Sequence, residues 1–135
     1  MYKSVLKERT ISRGSRYGSY KGVKYSVYRY VGDKMQVSIR FGTDLSQALK
    51  LENNMGFDVL VDKESQIMCV RPVQLGVAKP ILLHKKKSGL CEIRFAYVKN
   101  IGLPDYSFDQ PETEIKNGAV FKIPKKYEPE VKDAV

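Results

Sequence analysis

The sequence predicts a mainly β fold with short helices, and three observations predict it. Apolar and polar residues alternate over residues 35–41, which is the period-two pattern of a strand with one buried face. The dipeptide Asn117-Gly118 between two β-rich runs is a strong signal for a hairpin turn. The triplet Ile-Arg-Phe at residues 39–41 recurs at residues 93–95, an offset of 54 residues, and such a repeat indicates a fold built from one duplicated unit.

The duplication continues beyond the triplet at a slightly shorter spacing. Leu51 aligns with Leu103 and Pro72 with Pro124, an offset of 52 residues, and a two-residue deletion near Gly42 reconciles the two offsets. The sequence therefore divides into five segments: a basic, tyrosine-rich arm at 1–34 with a strand near 23–30, a first repeat at 35–73, a linker at 74–89, a second repeat at 90–125 and a tail at 126–135.

In the first repeat, the strand is followed by a helix of two turns, for which Thr43 or Asp44 provides the N-cap. Because so short a helix is not stable alone, we expect it to pack on the sheet. Two further strands at residues 57–61 and 67–70 flank a polar turn. Pro72, which cannot donate to a central ladder, closes the unit.

The elements of the linker and of the second repeat are predicted from the same kinds of local pattern. Residues 81–83 predict a short edge strand, and a lysine-rich turn after it holds His84, the only histidine. In the second repeat a strand passes into a helix that Gly102 ends, and then into a hairpin over residues 112–123. We expect each copy to contain a strand, a helix and a hairpin in that order.

Cys69 and Cys91 lie in strand-like stretches without CxxC spacing, which predicts two buried free thiols in a reducing compartment rather than a disulfide. No apolar run approaches the roughly 20 residues that a membrane span requires. The first residues lack the apolar segment of a secretory signal. The expectation is a cytoplasmic protein that does not enter a membrane.

The positive charge of the chain is concentrated at one end. The net charge is +9, and residues 1–34 hold nine Lys or Arg against two acids. Residues 35–135 hold fifteen against thirteen. A basic arm on a nearly neutral body is the electrostatic pattern of a protein that binds polyanions, and the alternative is a solubilising terminus.

The arm interleaves cations with tyrosines, a composition that suits phosphate contacts combined with stacking. For Tyr25, Tyr28 and Tyr30 the simpler interpretation is a half-buried sheet face. The candidate nucleic-acid contacts in the arm are Arg9, Arg13, Arg16, Lys21, Lys24 and Arg29.

The order strand, brief helix, Gly-containing turn and β-hairpin resembles the SpoVT/AbrB-like swapped-hairpin family. In the second repeat Ile93 takes the strand-end position, and residues 101–103, Ile-Gly-Leu, stand where that family has Leu-Gly-Ile. In the first repeat the helix ends at residues 49–51, two residues further from Ile39. The resemblance implies a small β-barrel made of two interleaved units, either within one pseudo-symmetric monomer or within a homodimer.

The sequence departs from that family at the positions that carry its DNA contacts. Arg40 and Arg94 replace the usual proline, and Ser46 and Val98 occupy the position of the helical arginine. Arg40 and Arg94 stand at equivalent places in the two copies and can supply symmetry-related phosphate contacts. Lys99 adds one further candidate in the second copy.

These features favour a DNA-binding protein, a small bacterial or phage transcriptional regulator that contacts the phosphate backbone of double-stranded DNA. Two alternatives stay open. A protein-interaction module, such as a phage-encoded inhibitor of a host protein, would explain the acidic residues between 105 and 114. An RNA-binding protein would also use Arg and Tyr on loops and sheets.

The sequence contains no constellation that predicts catalysis. The acidic residues of the second repeat have no histidine or glycine-rich motif beside them, so a solvated face is the expected interpretation. A cysteine nucleophile would have to draw on His84, which lies in a lysine-rich turn. We therefore expect neither an enzyme nor a bound metal or cofactor.

Overall fold

The computed structural model describes residues 20–74 and 79–126, and within them the chain is mainly β with one short helix. Arg9, Arg13 and Arg16 lie outside the described residues. The elements, in chain order, are β1 (Val23–Val31), β2 (Lys34–Phe41), α1 (Thr43–Ala48), β3 (Gly56–Asp62), β4 (Ile67–Val73), β5 (Ile81–Leu82), β6 (His84–Lys85), β7 (Cys91–Ala96), β8 (Phe108–Gln110), β9 (Glu114–Ile115) and β10 (Ala119–Lys122).

The strands form two five-stranded antiparallel sheets. Sheet A has the order β6-β7-β2-β1-β8, and sheet B has the order β5-β3-β4-β10-β9. At one edge only Leu83 separates β5 of sheet B from β6 of sheet A, and at the other residues 111–113 separate β8 from β9. The chain thus leaves one sheet and enters the other at both edges, as in sandwiches with corner strands.

The expected closed barrel is therefore wrong, because the ladders are interrupted at both corners. Pro111 follows β8 directly and has no N–H to donate. At the opposite corner Leu83 belongs to neither strand, and its backbone bonds to the residues before β3: its N–H donates to the carbonyl oxygen of Met55 at 2.8 Å, and its own carbonyl accepts from the N–H of Asn54 at 2.8 Å.

The core lies between the two sheets and is filled by the inward-facing residue of every second position. Tyr25 is fully buried there; its ring stacks on Phe108 with centroids 4.9 Å apart, and its hydroxyl donates to the carbonyl of Pro104 at 2.9 Å. The other large, fully buried side chains are Val23, Val37, Ile39, Phe41, Leu45, Leu51, Phe57, Met68, Val70, Leu83 and Ile93.

The three tyrosines expected on a half-buried sheet differ from one another. Tyr25 is in the core, and Tyr28 is half-buried and donates from its hydroxyl to Gln36 Oε1 at 2.7 Å. Tyr30 is 65% exposed, so the expectation for it is wrong. A β-bulge between Arg29 and Val31 places Tyr30 at the end of the hairpin, beyond the reach of the core.

The first repeat forms the expected elements with one difference at the helix. Strands β3 and β4 confirm the hairpin, and Leu45 packs α1 into the core. The expected N-cap by Thr43 or Asp44 is wrong, since the N-cap position is Gly42 and no side chain caps the helix. Asp44 Oδ1 instead accepts from the N–H of Gly22 at 3.0 Å, which ties the helix to the start of β1.

In the second repeat the expected helix ending at Gly102 is absent from the described residues. Asn100 (φ +75°) and Gly102 (φ +96°) adopt left-handed conformations that a right-handed helix excludes. The N–H of Tyr97 extends the β2 pairing by donating to the carbonyl of Met35 at 3.0 Å. The hairpin after it is confirmed as β9 and β10, with Asn117 (φ +55°) in its turn.

Two ladders, β2–β7 and β4–β10, join the first copy to the second. In both ladders the paired residues are related by the repeat offsets. In the β2–β7 ladder Ile39 lies opposite Ile93, the residue that the offset of 54 equates with it. In the β4–β10 ladder Met68 lies opposite Phe121 and Cys69 opposite Val120, and the offset of 52 equates these residues crosswise. A local twofold axis through both ladders would produce these registers.

Both cysteines are free thiols in the structure. Cys91 is buried, whereas Cys69 is only half-buried on the outer side of sheet B. In the ranges that the structure describes, no helix has the length and apolar character needed to cross a membrane.

Candidate nucleic-acid interface

The outer face of sheet A, the side turned away from sheet B, carries a polar row that crosses all five strands. The strand registers align its members side by side, and neighbouring strands lie about 4.8 Å apart. In order from β6 to β8 the row is His84, Glu92, Arg40, Lys24 and Asp109. A second row beside it aligns Arg94, Ser38 and Ser26.

Glu92 is the centre of this face. Its side chain is 3% exposed, and its two carboxylate oxygens accept from two arginines: Arg40 Nε lies 2.9 Å from Oε2, and Arg94 Nε donates to Oε1. Burial alone would raise the pKa of Glu92, but the hydrogen bonds from the two arginines outweigh it and hold the pKa below its ordinary value. Glu92 therefore stays ionised and keeps both guanidinium groups in place.

The two arginines retain donors for a ligand. Each arginine contacts Glu92 through its Nε alone. In the part of the chain that the structure describes, the two terminal guanidinium nitrogens of each arginine make no other hydrogen bond. Their side chains are 47% and 48% exposed. A guanidinium fork held by a carboxylate on one side can present paired N–H groups to a phosphate on the other.

Lys24 belongs to the same face and is oriented by Tyr20. Its Nζ lies 4.6 Å from the centre of the Tyr20 ring, a cation–π contact. The Tyr20 hydroxyl donates to the carbonyl of Phe41 at 3.3 Å, and burial raises the pKa of Tyr20 to about 12. Tyr20 thus lies across the outer face of sheet A as a neutral phenol.

The segment at residues 20–22 fits tightly between neighbouring backbone. The N–H of Gly42 donates to the carbonyl of Gly22 at 2.7 Å. A Cβ on Gly42 would lie 2.4 Å from the carbonyl oxygen of Tyr20, and one on Gly22 (φ +81°) would lie 2.1 Å from that of Gln110. The absence of side chains at both positions lets this segment reach the outer face of sheet A.

The structure brings together three of the sequence-predicted site residues and separates the rest. Lys24, Arg40 and Arg94 share the outer face of sheet A. Lys21 instead lines a groove at the corner between β8 and β9. Arg29 lies opposite Met35 at the far end of the β1–β2 hairpin, and Lys99 is exposed in the turns after β7.

Five residues that extend this face around its β6 edge were not predicted as contacts: Asn53, His84, Lys85, Lys86 and Glu92. With Arg94 they line a cleft of about 370 Å³ there. The basic run from His84 is visible in the sequence, but only the β6–β7 register places His84 opposite Glu92. Glu92 could have been found, because residues two apart on a strand share a face and Glu92 precedes Arg94 by two.

Among residues 20–74 and 79–126, no group of three or more His, Cys, Asp or Glu side chains is arranged to hold a metal ion. Comparison with family models, curated proteins and solved structures finds no match to this chain.

Proposed function

We propose that this protein binds double-stranded DNA through the outer face of sheet A, as a small transcriptional regulator acting in the cytoplasm. The observation that carries the proposal is the buried carboxylate of Glu92, which holds Arg40 and Arg94 with their terminal donors toward solvent. An ion pair on the protein surface can form without a buried carboxylate. A face preorganised for phosphate gains from it, because the guanidinium orientation is fixed before the ligand arrives.

Phosphate contacts of this kind supply affinity rather than sequence readout. Lys24 adds a third cation in the neighbouring strand, and Arg9, Arg13 and Arg16 add further charge in the arm that precedes Tyr20. The arm joins the body where Tyr20 lies on this same face, so arm and face can engage one duplex together.

We further propose that the two copies descend from a duplicated swapped-hairpin unit of the SpoVT/AbrB-like kind, fused in one chain as a pseudo-symmetric monomer. Two registers support this proposal: Ile39 opposite Ile93, and Met68 opposite Phe121. Both ladders join one copy to the other, as interleaved units require.

A salt titration tests the DNA proposal. Fluorescence anisotropy of a labelled random duplex should show binding by the full chain that weakens with salt, with a log–log slope of roughly −0.9 per neutralised phosphate. Reversing Arg9, Arg13 and Arg16 to Glu should flatten the slope, since these residues lie in the arm. Absence of binding at low salt would overturn the proposal, and a slope unchanged by the reversal would remove the arm from it.

A protein-interaction module is the second candidate, and one surface favours it. The corner groove has a volume of about 500 Å³; apolar Ile67 and Val120 form part of its lining, with Lys21 and Glu112 among its charged residues. Recovery of one host protein from nuclease-treated lysate, with no shift of duplex DNA, would decide for this candidate. Competition by single-stranded RNA in the same titration would decide for an RNA-binding protein instead.

A further inference from the structure

The cleft at the β6 edge is lined by five residues that carry side-chain hydrogen-bond donors, and by Glu92. The five are Asn53, His84, Lys85, Lys86 and Arg94. Both oxygens of Glu92 already accept from arginine Nε atoms, so its charge is balanced by Arg40 and Arg94 on the same face. What remains available in the cleft is cationic or N–H bearing.

The cleft is also fixed in shape. Asn53 Oδ1 accepts from the backbone N–H of Lys85 at 3.1 Å, which orients the Asn53 amide so that its Nδ2 donors are left for a ligand. Lys85 Nζ donates to the carbonyl of Leu51 at 3.1 Å and holds the loop after α1 against β6. The N–H of Lys86 donates to the carbonyl of Leu90 at 2.9 Å, which fixes the start of the turn.

We propose that this cleft binds one phosphate group, with Asn53 Nδ2, the Lys86 ammonium and the free terminal nitrogens of Arg94 as its donors and His84 at its rim. A phosphate suits this lining because three elements, the loop after α1, the β6–β7 turn and β7, each contribute a residue with N–H donors, and phosphate oxygens accept from such groups. The source of the phosphate is either free phosphate or a nucleic-acid phosphate, and only the latter rests on the proposed function.

A single substitution distinguishes phosphate binding in this cleft from general attraction to surface charge. Asn53→Asp keeps the side-chain oxygen that accepts from Lys85 N–H, but it replaces the amide donors with a carboxylate facing the anion. Asn54→Asp is the matched control. It makes the same charge change one residue away, outside the cleft lining, at an exposed position (φ +69°) that Asp tolerates.

The first arm of the experiment uses inorganic phosphate and the full chain. Phosphate should raise the melting temperature, because a ligand that binds only the folded state stabilises it. It should also shift the backbone amide resonances of Asn53 and Lys86. Both effects should disappear in Asn53→Asp and persist in Asn54→Asp. Equal responses in the wild type and Asn53→Asp would leave an adventitious ion only and would overturn the site.

The second arm tests the nucleic-acid source and uses three duplexes of one sequence: with 5′-phosphate ends, with 5′-hydroxyl ends, and closed into a circle. If an internal phosphodiester fills the cleft, Asn53→Asp should weaken binding of all three by about tenfold, from the loss of one hydrogen bond to a charged group. A loss confined to the 5′-phosphorylated duplex identifies a terminal phosphate instead.

The two proposals can fail separately. A phosphate response without any duplex binding supports the cleft and refutes the proposed function. Duplex binding that Asn53→Asp leaves unchanged, together with no response to inorganic phosphate, supports the function and refutes the cleft.

Discussion

The outer faces of the two sheets differ although both sheets bury their inner faces in one core. The middle row of sheet A reads His84, Glu92, Arg40, Lys24 and Asp109 from edge to edge. The corresponding row of sheet B reads Leu60, Cys69, Val120 and Glu114. Sheet A thus exposes a charged row organised around a buried carboxylate, and sheet B exposes a row that is largely apolar.

This difference shows which outer-face residues need a partner and which do not. Alternation of apolar residues suffices to seal both inner faces. On the outside, an isolated half-buried thiol or leucine requires no partner, as on sheet B, whereas a carboxylate with 3% exposure requires the two arginines that surround it. On the proposed function, this added requirement on sheet A serves phosphate binding.

The largest effect is expected from a variant that removes the charged cluster of sheet A without leaving an unpaired buried charge. Replacing Arg40, Glu92 and Arg94 together by Gln makes the cluster neutral and leaves no buried carboxylate without its arginines. We expect duplex affinity to fall on the order of 100-fold, from the loss of two charged contacts. The salt slope should fall by about 2. Anisotropy titrations at several salt concentrations measure both.

The matched control lies on sheet B. Replacing Arg71, Glu114 and Lys122 by Gln causes the same change in net charge on the opposite side of the molecule. It should change affinity by less than about threefold, since only long-range attraction is altered. Equal losses in the two triple variants would mean that net charge, not the sheet A face, determines binding.

A second prediction concerns residues 20–22, which pack against the ends of β2 and β8. Gly22→Ala combines a positive φ with a Cβ 2.1 Å from a backbone oxygen, so we expect a loss of roughly 3 kcal/mol in the free energy of unfolding. Gly32→Ala is the control, because Gly32 also has a positive φ (+57°) but no atom within 4 Å of its Cβ. It should cost about 1 kcal/mol. Urea denaturation compares them; equal losses would show that residues 20–22 are not packed as described.

The sequence predicts part of this fold, and the rest depends on tertiary contacts. Alternation and turn residues are local signals, and they were enough for β1, β2, the β3–β4 hairpin and the β9–β10 hairpin. The helix expected before Gly102 failed because the same apolar spacing fits a series of turns once Tyr97 pairs with Met35. The interruption of the barrel depends on how residues 111–113 and Leu83 pass between sheets, which is a tertiary property.

The candidate site was predictable in part for the same reason. The equivalence of Arg40 and Arg94 follows from the repeat, and the sequence placed both on the site. The spacing of Glu92 and Arg94 puts these two residues on one strand face, but the contact of Glu92 with Arg40 required the β2–β7 register, which puts Arg40 directly opposite Glu92. The cleft required in addition the contact between Asn53 and Lys85, 32 residues apart, which no local pattern indicates.

A third prediction isolates the carboxylate itself. Glu92→Gln should lower the free energy of unfolding at neutral pH by about 2 kcal/mol, because a neutral amide replaces a charged acceptor and its NH₂ group faces an arginine N–H. Since the folded-state pKa of Glu92 lies below its unfolded value of about 4.3, its stabilisation is present above that pH and is lost as pH falls through the folded pKa. The difference between wild type and Glu92→Gln should therefore shrink in urea melts below about pH 4; a gap independent of pH would contradict an ionised Glu92.

The smallest effect is expected at Cys69, the thiol in the apolar row of sheet B. Burial raises the pKa of Cys69, so alkylation by iodoacetamide should be slow at neutral pH and accelerate as pH rises. Cys91, which is fully buried, serves as the internal reference and should react only on unfolding. Saturating duplex should leave the Cys69 rate unchanged within about twofold, because an accessible thiol that no ligand covers keeps its reactivity. Acetylation of Lys24, on sheet A, should be suppressed in the same sample. If the duplex protects Cys69 as strongly as Lys24, both outer faces contact DNA and the distinction between the sheets is not one of function.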